Sequence, residues 1–309
     1  MKLLNKRILI VCHDIGGAEI IFYWLKNNPN NIYYLLTEGP ALIFFNSHKL
    51  TKNILTKRQA YLLLGSQKID FVLTGTSWES NIENKVVKIA KDHSITTASY
   101  LDHWSNYRER FRYPQSDWKK NLPDYIWCGD QRSIKVAKDL SFPEEKLKLV
   151  PNEYFKEILN QSKNKQIKEI KNSILYLSEP IEEVMGKVFK NNYHLGYTEH
   201  NAIKFFFQSI NKIIDNICLI TIRLHPQEEP KKYNNIIENQ NTKNYKIQKS
   251  NNKSLLEDLL SHQFIFGCQT NALAIACFLK KNTFYSIPPG GKNSTLPFNE
   301  ILYMRDLLT

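Results

Sequence analysis

The chain has 309 residues and carries 42 Lys and Arg against 30 Asp and Glu, a formal charge of +12. Hydrophobic residues make up 42% and charged residues 23%, ordinary usage for a packed globular protein, which excludes a disordered, collagen-like or fibrous chain. No apolar run approaches the roughly 18 to 20 residues that span a bilayer, and the run 7–12 is too short for a signal peptide and lacks a cleavage pattern. A cytoplasmic protein is expected. The five cysteines (Cys12, Cys128, Cys218, Cys268, Cys277) form no CxxC pair, so reduced, mostly buried thiols are expected rather than disulfides or a zinc site. Lysines interleaved with asparagines read as solvated helix faces, and the +12 charge adds a second expectation, peripheral contact with an anionic inner-membrane surface or a polyanionic substrate. No recognition helix, RNP-type motif or zinc knuckle occurs, so nucleic acid is not an expected partner.

In chain order, short β-branched and aromatic runs alternate with amphipathic stretches, the pattern of parallel strands joined by crossover helices. Strands are predicted at 7–12, 32–36, 71–74, 96–101, 125–128 and 147–150, with helices at 18–26 and 81–93 among them. From 152 to 172 the chain turns polar and Lys/Asn-rich. A second alternation follows, with strands at 174–177, 218–224, 245–248, 264–266 and 283–286 and helices at 201–214, 254–261 and 271–279. The expected architecture is α/β, two Rossmann-like doubly wound domains facing a cleft: residues 1–155, a linker at 156–172, and residues 173–309. Open α/β sheets bind ligands at the carboxyl ends of their strands, so the loops that follow strands are the candidate sites.

The first such loop holds His13, Asp14, Gly16, Gly17 and Glu19. Paired glycines let a ligand approach the backbone at a helix start, while His13 and Asp14 are candidate general bases. The second, 74–79, offers small hydroxyl residues and Gly75 to a sugar or phosphate oxygen, or a simple helix cap at Ser77. The third, 101–111, is the densest: Asp102, His103, Trp104, Arg108, Glu109 and Arg110 fall within it. Its aromatics demand burial, so its charges need partners. Asp102 or His103 is read as an acid, base or hydroxyl-binding group, and Arg108 or Arg110 as facing an anionic ligand. In the second half, Ser178 and Glu179 follow one strand. Arg223, His225 and Pro226 end another, the imidazole being held extended by the proline after it. Gln269, Thr270 and Asn271 open an apolar helix whose free N–H groups favour an anion.

At these residues the chain resembles the GT-B glycosyltransferases, and among them the bacterial transferases that use CMP-activated sugars, such as sialyltransferases and related capsule or lipopolysaccharide enzymes. Arg223-Leu224-His225-Pro226 is similar to their HP motif. Gln269-Thr270-Asn271 stands in the place of their paired-serine phosphate loop, and 174–180 resembles the strand that opens their nucleotide-binding half. The resemblance implies a metal-independent, cofactor-free glycosyltransferase that moves a sugar from a nucleotide donor to a surface-glycan acceptor. His225 would assist departure of the nucleotide; Ser178, Glu179, Arg223, Pro226, Gln269, Thr270 and Asn271 would bind the donor. Asp14 or Asp102 would deprotonate the acceptor, with His13, Gly16, Gly17, Glu19, His103, Trp104, Arg108, Glu109 and Arg110 around it. Three alternatives stand beside this reading: a nucleotide-sugar 2-epimerase of the same fold, a CDP-polyol phosphotransferase, and a non-catalytic module that binds a glycan or nucleotide.

Overall fold

The computed structural model describes residues 3–50, 53–77, 79–240 and 245–308. Trp78, in the second candidate loop, lies outside them. The chain divides into two compact units, Met1–Glu157 and Ile158–Thr309. Each is a Rossmann-like α/β domain, as the alternation of short apolar and longer amphipathic segments predicts. Among the described residues no helix is long and apolar enough to cross a membrane.

The first unit is built on a six-stranded sheet of order β2-β1-β3-β4-β5-β6, formed by β1 (Arg7–Cys12), β2 (Ile32–Thr37), β3 (Phe71–Thr74), β4 (Thr96–Leu101), β5 (Tyr125–Cys128) and β6 (Leu147–Leu149). Every pairing is parallel. Parallel sheets are covered on both faces, which the side chains of β1 show directly. Ile8, Ile10 and Cys12 pack on one face with Trp24, Leu25, Phe71 and Trp127. Leu9 and Val11 pack on the other with Leu64, Val72 and Val86. The helices that supply these layers are α1 (Ile15–Lys26), α2 (Gly39–Ser47), α3 (Lys57–Gly65) and α4 (Ile82–Asp92), and α5 (Gln131–Asp139) packs with β5 and β6 in a separate cluster. The polar stretch after residue 152 holds a further helix, α6 (Glu153–Asn164), and the division between the two units falls within it.

The second unit has a six-stranded parallel sheet of order β12-β11-β10-β7-β8-β9. Its strands are β7 (Ile170–Leu177), β8 (Leu219–Arg223), β9 (Lys246–Lys249), β10 (His262–Gly267), β11 (Asn282–Tyr285) and β12 (Leu302–Tyr303), and its helices are α7 (Ile181–Phe189), α8 (Glu199–Ser209), α9 (Asn234–Gln240), α10 (Leu255–Ser261) and α11 (Asn271–Phe278). Ile174, Tyr176, Ile220, Ile222 and Phe266 of the strands pack with Ile203, Phe206 and Phe207 of α8. Strand order places a topological switch point in each sheet, between β1 and β3 in the first and between β7 and β10 in the second. A crevice opens at the carboxyl ends of such neighbours because their crossovers leave in opposite directions. Of the cysteines, Cys12, Cys128 and Cys268 are buried, Cys277 is half-buried, and Cys218, at the start of β8, is exposed.

Candidate active-site residues at the two switch points

At the first switch point the loops after β1 and β3 touch backbone to backbone: a Cβ on Gly17 would lie 3.1 Å from the Gly75 Cα. Asp14 occupies the N-cap position of α1 but makes no side-chain cap there. Its carboxylate instead meets His13 Nδ1 at 2.6 Å, with Ser77 Oγ 3.4 Å from the same nitrogen. The loop is fastened from below by Glu83 of α4, whose Oε1 accepts the His13 backbone N–H at 3.0 Å. Glu83 is buried and its Oε2 has no hydrogen-bond partner. Burial pushes this carboxyl up to about 7, with Asp14 adding to the rise.

Asp102, at the end of β4, is the centre of the cluster. Arg110 Nη1 donates to its Oδ1 at 2.6 Å and also to the carbonyl and hydroxyl oxygens of Thr76, at 2.6 and 3.0 Å. Thr76 Oγ1 lies 3.2 Å from the same carboxylate oxygen. Both charged side chains are largely removed from water, at 9% exposure for Arg110 and 14% for Asp102. Glu19, one turn into α1, is half-buried, and burial together with the Asp102 charge holds its carboxyl up to about 7. Gly16 is required here because a Cβ would stand 2.2 Å from Asp102 Oδ2.

The rest of the 101–111 segment is turned elsewhere. Trp104 is buried, stacks on Phe155 with 5.8 Å between centroids, and donates from Nε1 to Asp130 Oδ1 at 3.2 Å. His103 pairs through Nδ1 with Ser105 Oγ at 2.8 Å. Arg108 donates from Nε and Nη2 to the Leu140 carbonyl, at 3.0 and 2.7 Å, and lies over the Trp118 ring. Glu109 is half-buried and opens a short 3-10 turn, Glu109–Phe111. The structure therefore gathers His13, Asp14, Gly16, Gly17, Glu19, Asp102 and Arg110 at one switch point, and directs Trp104 and Arg108 into the packing beneath.

At the second switch point Glu179, just past β7, reaches the start of α11. Its Oε1 accepts the backbone N–H groups of Cys268 and Gln269 at 2.9 and 2.7 Å. Burial raises this carboxyl to about 7 although the N–H groups pull the other way. Thr270 caps α11 by accepting the Ala272 N–H at 3.2 Å, and Gln269 Oε1 accepts from Thr295. Asn271 Oδ1 is buried without a partner.

One carboxylate that sequence reasoning missed organises the end of β8. Glu228 Oε2 accepts the His225 backbone N–H at 2.8 Å, and its Oε1 accepts from Ser178 Oγ and Lys232 Nζ, both at 2.8 Å. Tyr233 completes the cluster 2.7 Å from Ser178 Oγ. The spacing held a signal, since Glu228 follows His225 by three residues and closes an i to i+3 turn onto its carbonyl. His225 Nδ1 accepts the Gln227 N–H at 3.3 Å, which leaves Nε2 to carry the proton of a neutral ring. Burial lowers the affinity of this imidazole for a second proton. Pro226 is exposed, and Arg223 turns to Asp258, donating to Oδ2 at 2.7 Å and to the Lys253 carbonyl at 2.9 Å.

Among the described residues, two groups carry ligand-type atoms within 4.8 Å of one another, His13 with Asp14 and Glu79, and Glu182 with Glu199 and His200. In the second, the Lys232 ammonium already pairs with Glu199.

No protein-family model matches the sequence, and no curated protein matches it. In fold the chain is similar to a Methanocaldococcus jannaschii UDP-GlcNAc 2-epimerase solved with UDP-GlcNAc and UDP. The two are 15% identical, the TM-score is 0.60, and the match covers 96% of this chain and 88% of that one. A Neisseria meningitidis UDP-GlcNAc 2-epimerase bound to UDP-GlcNAc is 13% identical with a TM-score of 0.55 over 90% of this chain and 81% of its own. Anabaena Alr3699/HepE in complex with UDP and glucose is 10% identical, also with a TM-score of 0.55, over 91% and 80%. The fold is GT-B-like. These likenesses correct the expectation of a CMP-sugar, sialyltransferase-like glycosyltransferase, because the epimerases among them share the fold without that chemistry. The misreading has a physical cause. A His-Pro at a strand end and a helix N-terminus beside it describe how such a sheet presents donors to an anion, and they do not specify what happens to the sugar attached to it.

Proposed function

We propose that the chain binds a nucleotide-sugar of the UDP type and inverts the configuration at C2 of its sugar. The observation that carries this reading is the carboxyl cluster of the first unit. Asp102 pairs with the Arg110 guanidinium at 2.6 Å, and burial together with the Asp102 charge raises the carboxyl of Glu19 beside it to about 7. The likeness to UDP-GlcNAc 2-epimerases supports the substrate class.

Inverting C2 requires removing and replacing the C2 proton, which an unactivated sugar carbon does not release. A leaving group on the neighbouring C1 supplies the redox-neutral route. As a base takes the C2 proton, the C1–O bond breaks, its electron pair leaves with the nucleoside diphosphate, and a C1=C2 double bond forms. Return of the diphosphate to C1 with protonation of the opposite face of C2 gives the epimer. Such a route needs two proton-handling groups whose affinities differ. Asp102 is suited to accept the proton and Glu19 to give one. Within the second unit, taken by itself, the neutral His225 offers an Nε2 proton of the kind a phosphate oxygen accepts. With transfer set aside, the reaction needs no glycan acceptor.

The test is incubation of the purified chain with UDP-GlcNAc in deuterated water, followed by proton NMR. Loss of the C2 proton signal together with appearance of the C2 epimer is expected. Recovery of UDP-GlcNAc with its C2 proton intact, under conditions where UDP binding is measured, would overturn the proposal.

A further inference from the structure

A cavity of about 600 Å³ lies in the first unit, at the β2 edge of its sheet. Helix α1 starts at the carboxyl end of β1, and the cavity is lined by its last two turns, roughly 10 to 16 Å further along the helix. Phe22 and Leu25 of α1, Tyr33 and Leu35 of β2, and Leu50 beyond α2 form apolar walls. Its volume falls within the range of small-molecule pockets. Two lysines, Lys26 and Lys49, stand at the rim beside His48, and no acidic residue lines it among the described residues. The His48 ring is fixed, since its Nδ1 donates to the Phe44 carbonyl at 2.8 Å and the ring leans on Phe22 with 4.5 Å between centroids.

We propose that this cavity binds an anionic amphiphile, a single alkyl or isoprenoid chain with a carboxylate or phosphate head. The walls take the chain, and Lys26, Lys49 and His48 take the head. Apolar walls alone would suit any hydrophobe; the lysine-bearing rim selects an anionic end, and a volume of about 600 Å³ suits one chain. The inference is independent of the reaction proposed above.

The test is calorimetric titration of the intact chain with hexanoate, octanoate, decanoate and dodecanoate, all below micelle formation. Affinity should rise about fourfold for each added methylene until the cavity is filled. Dodecanol should bind more weakly than dodecanoate, and the variant carrying both Lys26→Glu and Lys49→Glu should lose roughly five- to tenfold, both lysines being on the exposed rim. Dodecyl phosphate, compared with dodecanoate, tells a lipid phosphate from a fatty acid as the source of the head. Leu50→Trp, which fills the half-buried mouth, should abolish binding. An affinity that ignores chain length, or equal binding of dodecanol and dodecanoate, would overturn the assignment whether or not the tryptophan variant folds.

Discussion

Replacing Gly16 by alanine sets two physical effects against each other. Gly16 lies in the first turn of α1 and its φ is not in the left-handed region, so helix propensity alone favours alanine by up to about 1 kcal/mol. Against this, the new methyl would sit 2.2 Å from Asp102 Oδ2. A free carboxylate would swing aside at little cost. This one is tied through Oδ1 to Arg110 and Thr76, and both charged partners are nearly out of water. Moving it stretches a buried ion pair, and overpacking of this kind costs about 1 to 3 kcal/mol. A net destabilisation of about 1 to 2 kcal/mol is expected for Gly16→Ala, read as a fall in the midpoint of the first unit's unfolding transition in urea. The cause is isolated by a double-mutant cycle with Asp102→Ala. In that background the obstruction is gone, so Gly16→Ala should become neutral or stabilising. If Gly16→Ala stabilises the native chain, or its cost survives unchanged without the Asp102 side chain, the argument from a pinned carboxylate fails.

Arg110→Met removes the guanidinium from a buried pair and should cost about 3 to 5 kcal/mol in the same urea assay, several times the effect of truncating an exposed ion pair such as Lys187 with Glu183. Glu83 titrates near 4.5 in an unfolded chain and is raised to about 7 by burial in the folded one. Between those values the folded chain keeps a proton that the unfolded chain has lost, so its contribution to stability is full below about 4.5 and falls as pH rises towards 7. Glu83→Gln should remove that slope, and the variant should gain on the native chain by up to about 3 kcal/mol between these pH values; urea midpoints that stay in constant proportion would refute it. Glu179 occupies N–H groups at the start of α11 and also titrates near 7; native affinity for UDP should therefore weaken as pH rises from about 6 to 8, and Glu179→Gln should bind UDP with little pH dependence over that range.

What could be read from the sequence followed from periodicity. The strands 7–12, 71–74 and 125–128 are near-continuous apolar runs and 96–101 is a run of small, β-branched and aromatic residues, and they are β1, β3, β5 and β4 with those bounds. Helices α2 and α6 escaped for opposite reasons. The first is apolar around much of its circumference, so no face stands out from its pattern. The second is rich in Lys and Asn and buries only Phe155 among its residues, so its polar composition reads as a connection. Strand-end loops were legible because the fold itself presents them. Their partners were not: Glu83 reaches His13 across 70 positions, and Arg110 reaches Thr76 across 34. No local pattern encodes such pairs.

That division bears on why the transferase reading failed while the fold reading held. The residues that mark a GT-B-like chain are those that present N–H groups, an imidazole and small side chains to an anion, and this task is common to every reaction that has a nucleoside diphosphate as leaving group or handle. In the proposed reaction, the outcome at the sugar would depend instead on how the carboxyls beside it hold protons. In this cluster the surroundings come from long-range contacts: Arg110 pairs with Asp102, and burial with the Asp102 charge raises the Glu19 carboxyl to about 7. The cluster is built by the packing of β4 against α1 and of the 101–111 segment against Thr76, and its proton inventory, measured by NMR titration of its carboxyls, is the quantity that separates an acid–base pair from a purely structural ion pair.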